Sequence, residues 1–145
     1  ARPGRRVVLV DDSGDWRGAG TAWYLAERGH EVTIVTAHPM VGFYLQRTSS
    51  DGRLRATLRE LGVSWRTESV VTEWTGNGAV VRDLLDGTES IVEADAFVTC
   101  LTNAADDSVA LGITAPVEVR LVGDAVAART AVHAIYEGRV AGMQV

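Results

Sequence analysis

The stretch from Arg6 to Thr36 constrains the fold more than any other part of this sequence. Arg6-Val7-Val8-Leu9-Val10-Asp11 is a continuous apolar run, the pattern of a strand buried on both faces. A polar turn, Asp12-Ser13-Gly14-Asp15-Trp16-Arg17, follows it. Gly18 to Arg28 then reads as a helix whose apolar stripe is Ala19, Ala22, Trp23, Leu25 and Ala26. Gly29 stands where a left-handed residue commonly ends a helix. Glu31-Val32-Thr33-Ile34-Val35-Thr36 is β-branched and strand-like. A buried strand, a tight turn, a helix and a second strand within about 30 residues make a βαβ unit.

The rest of the chain extends that unit. Phe43–Gln46 is a candidate short helix, and Asp51 is placed to cap a helix running to Leu61, with Leu54, Leu58 and Leu61 on one face and Gly62 at its end. Val63 to Thr67 would return as a third parallel strand. Ser69–Trp74, Ala79–Leu84 and Glu89–Glu93 are short strand-like runs separated by Gly76-Asn77-Gly78 and Asp86-Gly87, which are hairpin turn residues, so an antiparallel meander is expected. Ala96 to Cys100 resembles another buried strand, Leu101 to Pro116 is small, polar and irregular, and Val117–Val122 and Ala125–Val140 read as a last strand and helix. The fold class is therefore α/β, a Rossmann-like parallel sheet flanked by helices with an inserted antiparallel β-meander. The expected organisation is 1–101 as this unit, 102–116 as an irregular connection, and 117–145 as a returning strand and helix completing the same compact domain. Val117–Val122 is expected to extend the sheet beside Ala96–Cys100, or to swap into another copy.

Composition narrows the function. A chain of 145 residues, 46% hydrophobic and 23% charged, is ordinary for a soluble globular domain. No apolar run approaches the roughly 20 residues of a membrane helix, so no membrane partner is expected. The basic opening Ala1-Arg2-Pro3-Gly4-Arg5-Arg6 is not followed by a long apolar segment, so cytoplasmic residence is expected. A net charge of -5 argues against a nucleic-acid partner. Cys100 is the only cysteine, which excludes disulfides, a redox dithiol, zinc sites and thiolate-held iron–sulfur clusters within this chain. His30, His38 and His133 are dispersed without metal-like spacing, and nothing assembles into a catalytic triad or an acid–base pair.

Three places remain as candidate binding positions. The first is the turn between Asp11 and Gly18. Three glycines there would let backbone approach a pyrophosphate and let helix pack on strand, with the helix N-terminus stabilising the phosphate charge. With Gly18 set as the third glycine, Ser13 and Asp15 fall at the first two positions, and Gly14 is out of phase. A side chain at Asp15 would crowd a pyrophosphate and oppose its charge, and Asp11 and Asp12 add to that opposition. The second is Thr36, where an acidic residue commonly binds a ribose diol; a strand end with a turn is the simpler expectation. The third is Gly123-Asp124, which can meet a flavin or nucleotide through glycine backbone and a carboxylate, or can simply cap a helix.

Several stretches together resemble the C-terminal region of the trimethylamine dehydrogenase, histamine dehydrogenase and 2,4-dienoyl-CoA reductase group. These are Old Yellow Enzyme-like proteins fused to a module similar to pyridine nucleotide-disulfide reductases. The matching segments are Val7-Val8-Leu9-Val10-Asp11-Asp12 with Gly18, Leu25 to Val35, Val41-Gly42, Leu58 to Val63, Leu121-Val122-Gly123-Asp124-Ala125 and Tyr136 to Ala141. The resemblance implies a parent protein with an N-terminal barrel carrying FMN and a 4Fe-4S cluster, and contact with ADP or FAD through Gly123-Asp124. It also implies that Ser13, Asp15 and Thr99 to Asn103 depart from the NADPH-using branch toward the amine dehydrogenase branch. On that basis the chain is expected to be a fragment with a degenerate NAD(P)H site and no catalytic centre of its own. The implied partners are the parent's barrel, an electron-transfer flavoprotein, and a second copy in a homo-oligomer. Two rival readings stay open: a working NAD(P)H domain delivering hydride to a flavin, and a non-binding module docking an electron-transfer partner or subunit.

Overall fold

A computed structural model describes residues 4–144; Ala1, Arg2 and Pro3 of the basic opening lie outside the described residues, as does Val145. The chain divides into two compact units, Ala1–Leu101 and Thr102–Val145.

The first unit runs β1 (Arg6–Asp11), α1 (Trp16–Glu27), β2 (Glu31–Val35), a 3-10 turn (Phe43–Thr48), α2 (Asp51–Glu60), β3 (Ser64–Arg66), β4 (Ser69–Trp74), β5 (Gly78–Asp83), β6 (Glu89–Glu93) and β7 (Ala96–Cys100). Four strands form one sheet in the order β3-β2-β1-β7, and β4-β5-β6 form a second. All pairings in the first sheet are parallel, with Arg6 opposite Glu31 and Val7 opposite Ala96. Both pairings in the second are antiparallel, with a register shift between Val71 and Glu73. This is the expected α/β sheet with its meander.

The period-two alternation of β1 explains the layering. Val7 and Leu9 pack with Ala19, Ala22 and Leu25 of α1 and with Leu54 and Leu58 of α2. Val8 points the other way, into a cluster with Val35 of β2, Ala79 and Val81 of β5, and Ala94. Helices therefore cover one face of the parallel sheet and the meander covers the other, which is why β1 is apolar without interruption. Arg6 ties the meander's exit to β1, its guanidinium meeting Asp95 at 2.9 Å and Glu93 at 2.6 Å.

The element limits shift slightly from expectation. α1 begins two residues earlier than the apolar stripe suggests, because the Asp15 side chain caps it. Asp51 is not the cap of α2; Ser50 holds that position, and Asp51 lies in the first turn, paired with Arg55 at 3.0 Å.

The second unit corrects two expectations. Residues 117–122 form no strand, and β7 remains an edge of its sheet. A strand is stable only when its backbone groups meet a neighbour, and no other strand exists among the described residues of this unit. The final helix does not start at Ala125 either. Gly123–Ala125 is a 3-10 turn, and α4 (Ala131–Gly142) starts after Thr130, following a one-turn helix α3 (Ser108–Leu111). Among its described residues α4 buries none, and Val132, Ile135, Tyr136 and Met143 are all exposed.

Unequal burial predicts unequal stability. Leu58→Ala should cost about 2–5 kcal/mol in denaturant unfolding, because it empties a fully buried position. Ile135→Ala should cost close to nothing, and native-state hydrogen exchange should be far faster in α4 than in β1.

Candidate functional site

The carboxyl ends of β1 and β2 meet the N-terminus of α1, which is where open parallel sheets place ligands. Asp11, the last residue of β1, is fully buried. Its Oδ1 accepts from the Ser13 amide at 3.1 Å, the Ser13 hydroxyl at 2.8 Å and the Gly14 amide at 2.9 Å. Its Oδ2 is buried with no hydrogen-bond partner among the described residues. Gly18 packs directly over this carboxyl group: a Cβ there would lie 2.2 Å from Asp11 Cγ and Oδ1. The glycine at position 18 is thus required by an internal side chain.

Asp15 completes the turn as the N-cap of α1, accepting from the Arg17 amide at 2.8 Å and the Ser13 hydroxyl at 2.9 Å. Its carboxylate also pairs with the Arg17 guanidinium at 3.1 Å. Burial opposes ionisation of Asp15, but the Arg17 amide, the Ser13 hydroxyl and the Arg17 guanidinium outweigh it and hold the carboxyl below its ordinary range. The Ser13 hydroxyl lies within hydrogen-bond distance of both the Asp11 and Asp15 carboxyl groups, and its one proton serves one of them at a time. Ser13, Gly14, Asp15 and Gly18 therefore come together as the sequence suggested, but around Asp11. Three amides of this turn, those of Ser13, Gly14 and Arg17, point at carboxyl oxygens of this chain.

The neighbouring space is occupied by aromatic rings. His38 stacks on Phe43 with centroids 5.2 Å apart, and Tyr44 meets both rings edge-on. Gly14 has φ +59, and a Cβ on it would come within 2.9 Å of the His38 ring. The Tyr44 amide donates to the Gly14 carbonyl at 2.9 Å, locking the 3-10 turn onto the first turn. Thr36 is buried, and its polar atoms are used internally: its amide donates to the Arg66 carbonyl, its carbonyl accepts from Ser69, and its hydroxyl accepts from the His38 amide at 3.2 Å. Thr36 thus stands at the end of β2 with its amide, carbonyl and hydroxyl each bonded within the chain.

Gly123 and Asp124 lie in the second unit. The Gly123 amide donates to Glu137 of α4 at 2.7 Å, and Arg129 pairs with the other oxygen of the same carboxylate. That amide, opposed by burial and aided by Arg129, holds the Glu137 carboxyl below its ordinary range. Asp124 is exposed and does not cap α4, correcting the capping expectation; its Oδ1 meets the Arg129 amide at 3.4 Å. Cys100 is half-buried, and burial pushes its thiol up. Among the described residues no group of three or more His, Cys, Asp or Glu is placed to hold a metal, and no helix is long and apolar enough to cross a membrane.

Sequence reasoning treated Asp11 only as added negative charge and missed the aromatic trio. An aspartate followed by Ser-Gly is the pattern of a side chain closing its own turn, a signal that was present. The stacking of His38 on Phe43 has no comparable signature.

A parallel sheet with this turn at its carboxyl edge, backed by a meander, defines a nucleotide-binding-type α/β domain. The chain belongs to the pyridine nucleotide-disulphide oxidoreductase family, whose profile matches residues 14–137. It is similar to histamine dehydrogenase from Rhizobium sp. 4-9, at 24% identity and a TM-score of 0.82, over 99% of this chain and 23% of that one. It is also similar to 6-hydroxypseudooxynicotine amine oxidase from Pseudomonas geniculata N1, at 26% identity and a TM-score of 0.81, over 95% and 22% of the two chains. A 2-naphthoyl-CoA reductase matches at 26% identity and a TM-score of 0.76, over 100% and 22%. The expected resemblance to the trimethylamine dehydrogenase and 2,4-dienoyl-CoA reductase group is thus borne out, and the chain spans under a quarter of the length of these proteins. No curated protein matches it.

The Asp15 cap gives a pH test. Its lowered value means that the stability it adds is present above about pH 4 and is lost as pH falls through the folded value. The stability difference between wild type and Asp15→Asn should therefore shrink on acidification in denaturant unfolding. Gly18→Ala should cost about 1–3 kcal/mol by forcing the Asp11 carboxyl aside.

Proposed function

We propose that this chain is the C-terminal nucleotide-binding-like domain of a larger FMN- and iron–sulfur-containing oxidoreductase of the amine dehydrogenase type. In this reading its own pyridine nucleotide site no longer takes NAD(P)H, and it carries no reaction centre. The observation behind the reading is the turn after β1, where the Ser13, Gly14 and Arg17 amides donate to Asp11 and Asp15. A pyrophosphate needs those donors, and it would arrive beside an ionised Asp15 at the helix N-terminus that should stabilise it. His38, held between Gly14 and Phe43, fills space beside the turn. The residues present do not fit NAD(P)H, and no hydride step runs through them.

The redox chemistry belongs to FMN and a 4Fe-4S cluster in the parent's N-terminal barrel, the cofactor carrying the hard step. The barrel is the domain's first partner, and an electron-transfer flavoprotein is the external acceptor. The matched amine oxidase and naphthoyl-CoA reductase are named for different substrates, which is consistent with substrate choice lying outside the shared domain. For ADP or FAD the fit is partial. Asp124 offers an exposed carboxylate to a sugar hydroxyl, while the Gly123 amide is directed to Glu137.

Calorimetric titration of the chain with NADH, NADPH and ADP separately tests the reading. NADH and NADPH should give no saturable heat, and any ADP binding should be lost in Asp124→Ala. Micromolar binding of NADH or NADPH would overturn the reading and make the domain a working hydride-donor module.

A further inference from the structure

Between β3 and the β5–β6 hairpin the space separating the two sheets of the first unit changes from apolar to polar. β5 turns Ala79 and Val81 inward, where they pack with Val8 and Val35. Side chains alternate along a strand, so Asp83 continues that inward row. In the neighbouring strands Ser69 is paired with Asp83 and Ser90 with Val81. On the facing sheet Trp65 packs against the helix-side core, so the same alternation sends Arg66 to the meander side. A cleft of about 490 Å³ lies between them, with Arg66 and Thr67 on one wall and Asp83, Asp86, Thr88 and Ser90 on the other. That volume is of the size that small-molecule sites have.

The charges lining this cleft do not meet across it. Arg55 and Arg82 pair with Asp51 and Glu89, whereas the Arg66 guanidinium forms no ion pair or hydrogen bond among the described residues. Asp83 and Asp86 are fixed from behind. Asp83 Oδ1 accepts from the Leu85 amide at 2.7 Å, and Asp86 Oδ1 from the Thr88 amide at 2.8 Å. The hydroxyl and amide of Thr88 hold the Asp86 carboxyl below its ordinary range, so it is charged at neutral pH. A carboxylate has about four acceptor positions, so both keep capacity to spare. Glu68, at the end of the Arg66 wall, has a left-handed backbone at φ +49. It is pinned there by its amide on the His38 carbonyl at 3.0 Å and by the Leu84 amide on its carbonyl at 2.7 Å. Strain of this kind in a residue other than glycine clusters at ligand sites.

We propose that this cleft binds a small amino carboxylate zwitterion, its carboxylate on Arg66 and its ammonium on Asp83 and Asp86. A guanidinium presents two parallel donors that match a carboxylate. An ammonium has three donors to share between the two carboxylates. A ligand of one charge only would leave one wall unanswered: the two aspartates repel a simple anion, and Arg66 repels a simple cation. The cleft shares no residue with the turn after β1, so it stands whether or not that turn takes a nucleotide.

The probes are glycine, 4-aminobutyrate and 6-aminohexanoate, whose two charges lie progressively further apart. Each is titrated into the ¹⁵N-labelled chain to about 50 mM, a range that covers millimolar dissociation constants. At least one should shift the Arg66, Thr88 and Ser90 amide signals saturably and leave those of Gly14 and Arg17 in place. Acetate and methylammonium should bind at least ten-fold more weakly. Arg66→Gln, an exposed position on an edge strand, should abolish the saturable shifts. Asp83→Asn with Asp86→Asn keeps an oxygen acceptor for each turn amide and should weaken binding at least ten-fold. No saturable shift with any of the three probes, or one that survives Arg66→Gln, overturns the proposal. Acetate binding as tightly as the best probe overturns the zwitterion assignment.

Discussion

The carboxyl group of Asp11 is the point on which the first unit is organised. It ends the central strand, lies fully buried, and takes three hydrogen bonds on one oxygen from the turn that follows. A carboxyl group in that position is costly to bury unless donors are brought to it. The chain brings them by folding Ser13 and Gly14 back over the strand end, and this fixes the path along which α1 leaves. α1 then crosses the same carboxyl group at Gly18, the one residue that can pass so closely. Ala19 and Ala22 continue the close approach, so helix and sheet pack tightly on small side chains.

The same chemistry recurs in the second unit. There Glu137 on α4 turns back to accept from the Gly123 amide, with Arg129 pairing the far oxygen. In both places a backbone amide of a turn meets a carboxyl group from its own chain. An external anion would have to displace a group already tethered in place, which enters the contact without losing translational freedom. Under the proposed reading this separates a closed site from a merely empty one. The donors survive, and the chain's own acids satisfy them.

Much of this was legible in the residues. The uninterrupted apolar run at Arg6–Asp11 required cover on both faces, and helices and meander supply it. Gly76-Asn77-Gly78 and Asp86-Gly87 marked the hairpins because turn chemistry is local. The departure from the glycine fingerprint at Ser13 and Asp15 was visible as well. What escaped was non-local. Residues 117–122 have the composition of a strand, but composition cannot say whether a partner strand is present. The start of α4 was misplaced because Asp124 resembles a cap, whereas Thr130 holds the extended backbone that begins the helix. The Asp11 acceptor role was hidden by reading it as one more negative charge.

The first unit takes its rigidity from within. A site that needs its ligand to satisfy a buried cluster is stabilised by that ligand, and its stability follows ligand concentration. Here the Ser13, Gly14 and Arg17 amides are met by the chain's own carboxyl groups, Asp11 through its Oδ1 and Asp15 as the helix cap. Such a unit is suited to being a fixed support in a longer protein. In it α1 is anchored at its first turn by the Asp15 cap and against the strand end by the close approach of Gly18 to the Asp11 carboxyl group, so the path of the helix is fixed by groups of the chain itself.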